Sequence, residues 1–145
     1  MPSDGEVQTL APLTNELIAQ VLSAREYNFG TDDDGDIGGM WDDNLIWFFR
    51  RGSQGEMLQV RTLAATEFTV DDVPRLYAFC NEWNHDRLWP KAFVHVNDDG
   101  TVRVFGEVTT DLERGVSHHQ LDQLIGCGIS TGCQLAEAAA SLKAP

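Results

Sequence analysis

The stretch KAFVHVNDDGTVRVFGEVTT, Lys91 to Thr110, decides the fold. Two alternating runs flank Asp98-Asp99-Gly100, in which Gly100 can take the left-handed conformation that a three-residue hairpin loop needs. That loop sets a register in which paired residue numbers sum to 198. One face then carries Val96 opposite Val102, Val94 opposite Val104, and Ala92 opposite Gly106. The other carries His95 opposite Arg103, Phe93 opposite Phe105, and Lys91 opposite Glu107. Such cross-strand pairs are worth a few tenths to about 1 kcal/mol each. A slip of a single residue would lose the apolar face, the aromatic pair and the charge pair together. An antiparallel hairpin with one apolar face is therefore expected here.

Working outward, Leu45-Ile46-Trp47-Phe48-Phe49 is apolar in both phases, which predicts a central strand buried on both faces. Ile37 to Trp41 reads as a weaker strand with glycines at 38 and 39, and Asp42-Asp43-Asn44 as a turn. Gly52-Ser53-Gln54-Gly55 is a hairpin loop leading into a strand from Met57 to Leu63, with Leu58 and Val60 on one face and Gln59 and Arg61 on the other.

Three helices complete the order. Thr14 to Arg25 carries Leu17, Ile18, Val21 and Leu22 on one stripe behind a Thr14 cap. Val70 to Leu88 has Thr69 or Asp71 as its cap and tolerates Pro74 in the first turn. Val73, Leu76, Tyr77, Cys80, Trp83, Asn84 and Arg87 share a face, and Pro90 ends the segment. Ser117 to about Lys143 opens with a capping box, Ser117 with Gln120, and a staple of Val116 on Leu121. Gly126, Gly128 and Gly132 each cost about 1 kcal/mol relative to alanine in a free helix. Gly128 and Gly132, on the apolar stripe, therefore predict very close packing against another element or a second copy of the chain. The result is α-β-β-β-α-β-β-α: an α+β fold with an antiparallel sheet of about five strands and helices packed on it. One domain over 13–143 follows a flexible N-terminus, 1–12.

The chain has 145 residues, 10 Lys and Arg against 23 Asp and Glu, and a formal net charge of −13. That balance excludes a duplex nucleic-acid binder, whose phosphate contacts need a basic face, and a polybasic membrane binder. No apolar run approaches the roughly 18 residues of a membrane span. The N-terminus lacks the pattern of a secretory signal, and Cys80, Cys127 and Cys133 are odd in number with no C-x-x-C pair. A reducing cytoplasm is expected.

No catalytic, metal or cofactor site emerges from the residues. Asp32-Asp33-Asp34-Gly35-Asp36 suggests a calcium loop, but placing Gly35 at loop position six puts Gly30 at position one and Trp41 at position twelve, where the chemistry needs acids. His118 and His119 point about 100° apart on a helix and cannot share one ion. Cys80 sits on an apolar stripe, and His85 lies on another side of that helix. There is no G-x-S-x-G and no phosphate-binding glycine loop. The densest polar and aromatic run is Asn81 to Lys91. Its Trp83, Asn84, Arg87 and Trp89 are the candidate partner-binding residues. On an apolar stripe, Asn84 and Arg87 must be hydrogen-bonded, either anchoring the helix end to the sheet or lining a recognition groove.

Four stretches carry a resemblance: WDDNLIWFF (41–49), LYAFCNEWNHDRLWPKAFV (76–94), VFGEVTTDLERGVS (104–117) and QLDQLIGCGISTG (120–132). Together they resemble the YbjN domain family of bacterial proteins, described as sensory transduction regulators. The resemblance implies a fold like that of type III secretion chaperones and a domain, often dimeric, that acts by binding protein. It brings no catalytic residue set. The expectation is a non-enzymatic, chaperone-like regulatory module working as a homodimer. The alternative is a small-molecule sensor or an enzyme using a cleft near Asn84, Arg87 and Glu107.

Overall fold

The computed structural model describes residues 9–143. Thr14 caps α1 (Asn15–Ala24) by accepting the Leu17 N–H at 3.1 Å. The chain then lays down β1 (Gly30–Thr31), β2 (Ile37–Trp41), β3 (Asn44–Arg51), β4 (Met57–Leu63) and β5 (Phe68–Thr69). A 3-10 turn (Val70–Asp72) leads into α2 (Val73–Asp86), and β6 (Lys91–Val96), β7 (Thr101–Asp111) and α3 (His118–Ser141) follow.

All pairings are antiparallel, and the strands run β1-β2-β3-β4-β7, with β6 on the far side of β7 and β5 pairing the start of β7. The β6–β7 register has all six expected pairs, from Lys91–Glu107 to Val96–Val102. The sheet has seven strands rather than about five. The additions, β1 and β5, are two residues each, too short to show alternation in a sequence.

Two local expectations are corrected. Asn44 is not a turn residue: Asp42 and Asp43, both at positive φ (51° and 68°), complete the turn by themselves, and Asn44 begins β3. Its buried amide accepts the Ala65 N–H and donates to Trp41 O and Asp42 O, tying the β2–β3 turn to the end of β4. The second helix is also shorter than 70–88. Thr69, one of the two expected caps, is the N-cap of the 3-10 turn that opens at Val70, with Asp72 accepting its N–H, whereas at the other end Arg87 is already extended at φ −128°. Of the 1–12 segment expected to be flexible, residues 1–8 lie outside the described residues. Ala11 exchanges two hydrogen bonds with Val116, at 3.1 and 2.8 Å, so the lead-in to α1 is tied to the lead-in to α3.

All three helices lie on one face of the sheet. Ile18, Val21 and Leu22 of α1 meet Ile37, Ile46, Phe48, Leu58 and Val60. Leu76, Cys80 and Trp83 of α2 meet Phe68, Ala92, Val102 and Val104. Helix α3 bridges the two cores, with Leu121, Ile125 and Ile129 in the first and Leu135, Ala136 and Ala139 in the second. The close approach that the helix glycines announce is intramolecular. A Cβ on Gly128 would lie 2.7 Å from the Val60 Cβ, and one on Gly132 would collide with the Thr62 Oγ1, so α3 rests directly on β4. Both glycines are buried there and present nothing to a second copy.

Leu45, Trp47 and Phe49 do not follow the two-sided burial expected for β3. Only Asn44, Ile46 and Phe48 are buried, while the alternate three are half-buried on the face without helices.

Candidate functional surface

The Asn81–Lys91 run resolves into an anchor and an exposed rim. Trp83 is buried and donates its indole N–H to Pro90 O at 3.1 Å. Asn84 accepts the Ala92 N–H at 2.8 Å and donates to Ala92 O at 2.9 Å, so its side chain pairs with β6 as a strand residue would. Arg87 is exposed and lies over the Trp83 ring, with Cζ 4.3 Å from its centroid. Leu88 and Trp89 are 79% and 46% exposed. The structure thus assigns Trp83 and Asn84 to the anchor and leaves Arg87 and Trp89 at the surface.

The face away from the helices is built from the opposite phase of every strand. Gly106 faces the helices, since a Cβ there would meet Leu135 and Pro90; Glu107 and Phe105 therefore face away. Following the registers outward, one row reads Met40, Leu45, Leu63, Phe105, Phe93, and the next Gly38, Trp47, Arg61, Glu107, Lys91. Phe93 and Phe105 stack at 5.4 Å, and Trp47 and Phe49 at 5.8 Å. A Cβ on Gly38 would lie 3.0 Å from Trp47 Cδ1, so the glycine leaves room for that indole. Glu107 stands between two cations, with Arg61 Nε at 3.2 Å and Lys91 Nζ at 3.4 Å. The Arg61 Nε is buried and, among the described residues, makes no well-aligned hydrogen bond. Among the described residues no helix covers this surface, and its aromatic and aliphatic side chains remain half-exposed or exposed.

Of these residues, Glu107 alone is a site candidate on the sequence. The signal was present: a strand apolar in both phases, read as doubly buried, is also what a sheet with one covered and one apolar open face produces.

Other candidates do not converge. Asn84 lines a cavity between α2 and β6, Arg87 one between α2 and α3, and Glu107 lies on the opposite face of the sheet, so the three do not share a cleft. Burial pushes the Cys80 thiol up to about 11, which leaves it protonated and a poor nucleophile. Cys133 is also raised, by burial and by nearby Asp42. Asp122, between the histidines and Cys127 in sequence, is held by Arg25 at 2.7 Å, which lowers its carboxyl pKa and ties α1 to α3. Asp32, Asp34 and Asp36 bring carboxylate oxygens within 4.8 Å of one another, with Asp32 Oδ1 accepting the Asp34 and Asp36 N–H groups at 2.9 Å. Among the described residues no helix is long and apolar enough to cross a membrane.

An antiparallel sheet with three helices on one face and a bare apolar second face, without a converging catalytic set among the described residues, defines a two-layer α+β domain. The family model of YbjN, "Putative bacterial sensory transduction regulator", matches residues 14–141, and the chain belongs to that family. Among solved structures, the chain is similar to "Crystal structure of YbjN, a putative transcription regulator from E. coli", with a TM-score of 0.77 at 16% identity over 92% of this chain and 97% of that one. That likeness concerns the fold. No curated protein matches the sequence.

Proposed function

We propose that the chain is a non-enzymatic regulatory module of the cytoplasm that works by binding another polypeptide, in the manner of a secretion chaperone, and does so as a homodimer. The observation that carries this reading is the bare sheet face. Soluble domains rarely leave a contiguous apolar surface uncovered unless something binds there. The family's description as regulators points the same way.

The dimer has a separate support. Strand β6 is an edge, and the Ala92 N–H and C=O held by Asn84 point away from β7. By the two-residue period, those of Val94 and Val96 point outward too. Val96 is 43% exposed, and Tyr77 of α2, 58% exposed, lines a cavity of about 490 Å³ with Ala92 and Val94. An apolar strand edge of this kind favours pairing with another strand, and a second copy brings an identical one.

Photo-crosslinking residues placed one at a time at Thr109 on the bare face, Val96 on the edge, and Gln20 on α1 separate these statements. Thr109 should give a discrete adduct with another polypeptide, Val96 an adduct of twice the chain mass, and Gln20 neither. An empty result at Thr109, or adducts equal to those at Gln20, sinks the binding reading. A monomer at high micromolar concentration sinks the dimer.

A second reading rests on the cavity of about 430 Å³ between α2 and α3, where Phe79, Trp83 and Arg87 could hold a small flat ligand. A mass retained in native mass spectrometry, and lost on Phe79→Ala, would favour it.

A further inference from the structure

The cations of this chain are unevenly placed. Of its 10 Lys and Arg, four (Arg51, Arg61, Lys91 and Arg103) stand on the bare sheet face, where the strands among the described residues place two carboxylates, Glu107 and Asp111. A molecule of net charge −13 thus frames its open apolar surface with positive charge. The cations also lie on the rings: Arg51 Cζ is 4.2 Å from the Phe49 centroid, Arg61 Cζ 4.7 Å from that of Phe105, and Lys91 Nζ 5.4 Å from that of Phe93. Glu107 is shared between Arg61 and Lys91, so the centre of the face keeps a positive surplus. At the rim, Arg103 donates twice to Ala64 O and stands 4.0 Å from Glu67.

We propose that the bare sheet face docks an acidic amphipathic polypeptide segment, one that interleaves Asp or Glu with large apolar residues. The proposal rests on the reading of the chain as a protein-binding module and gives the partner's chemistry. Apolar side chains of the segment lie along the row Met40, Leu45, Leu63, Phe105, Phe93, and its carboxylates meet the guanidinium and ammonium groups stacked on the rings. The row crosses five strands, about 20 Å at the usual interstrand spacing, which an extended segment of about six residues would span. Net charge alone would select a basic partner. The local arrangement reverses that choice at this face, because complementarity acts at the contacting surfaces over roughly a Debye length of 10 Å.

A nucleic-acid strand is the other polyanion to weigh. It needs free ring faces for base stacking, whereas the rings here are stacked on each other or under cations. It would also approach a strongly acidic molecule along its whole length.

The test uses the isotope-labelled full chain and three probes: a synthetic peptide of leucine and glutamate, the same peptide with lysine for every glutamate, and an oligothymidylate. The glutamate peptide should bind at least about tenfold more tightly than the lysine peptide and move the backbone amide signals of residues 45–49, 59–63 and 103–107. The double variant Arg51→Glu, Lys91→Glu, at two exposed positions, should keep the dispersed spectrum of a folded chain and lose that preference. Equal or tighter binding of the lysine peptide overturns the proposal. So do shifts confined to α2 and α3, tighter binding of oligothymidylate at the same amides, and no binding by either peptide. If neither peptide binds but Thr109 still crosslinks to a protein, only the acidic partner is lost. If both experiments are blank, the binding reading falls with it.

Discussion

Asn84 does for Ala92 what a neighbouring strand would do: one side-chain amide satisfies both the N–H and the C=O of an edge residue. Replacing it with alanine removes two hydrogen bonds, each worth about 0.5–1.5 kcal/mol net, and frees the end of β6 from the end of α2. Arg87, three residues on, has no such role. Its contact is a cation on the exposed side of the Trp83 ring, worth about 0.5–1 kcal/mol. Denaturant unfolding should therefore rank Asn84→Ala as the more damaging, by about 1–2 kcal/mol below the parent, with Arg87→Ala within about 1 kcal/mol. The reverse order would mean that the amide contacts are incidental. The sequence shows that a polar pair sits on an apolar helical stripe. It does not show that the helix stops at Asp86, which turns Arg87 off the stripe and leaves Asn84 alone to make the anchor.

Helix α3 carries the trade between intrinsic propensity and packing. Alanine at Gly128 gains about 1 kcal/mol of helix propensity, but its Cβ would lie 2.7 Å from the Val60 Cβ. Val60 sits on β4 between β3 and β7 and cannot retreat, so the helix must lift, at the roughly 1–3 kcal/mol of an overpacked core, and cavities open beside it. Packing outweighs propensity, and Gly128→Ala should destabilise by up to about 2 kcal/mol. Gly126 faces the guanidinium of Arg25, the flexible end of a long side chain that can move aside. There the propensity gain and the disturbed Arg25–Asp122 contact nearly cancel, so Gly126→Ala should stay within about 0.5 kcal/mol of the parent. Equal effects at the two positions in thermal unfolding would contradict the packing argument. The need for small residues is legible in the sequence. The identity of the neighbour is not, because β4 is some 70 residues away along the chain.

At the scale of the molecule, hairpin registers and helix caps were readable because their chemistry is local: a turn glycine, a cap hydroxyl, an opposite-charge pair. What covers each sheet face is a tertiary fact, and the apolar run from Leu45 to Phe49 looks the same whether one face or both is covered. Charge distribution has the same limit, since the total of −13 hides where the cations collect. The total also governs the response to acid. Asp36 is raised by burial and by Asp32 and Asp34, so its protonation as pH falls relieves the folded state. Asp122 runs the other way: the hydrogen bond from Arg25 holds its carboxyl below the ordinary aspartate range. A carboxylate lowered by folding contributes stability that is complete above its unfolded pKa and is lost as pH falls through the folded one. The Arg25–Asp122 tie between α1 and α3 should therefore persist down to about pH 4 and disappear below it. Arg25→Ala removes the tie at every pH. At neutral pH the variant should be less stable by up to about 1 kcal/mol, as befits a pair with side chains 31% and 34% exposed. The gap should close as the solution is taken well below pH 4, because protonated Asp122 no longer attracts the guanidinium. Denaturant midpoints of parent and variant, compared between neutrality and strong acid, decide it. A gap that stays constant through the acid range would assign the effect of Arg25 to its packing over Gly126 and Tyr27 rather than to its charge.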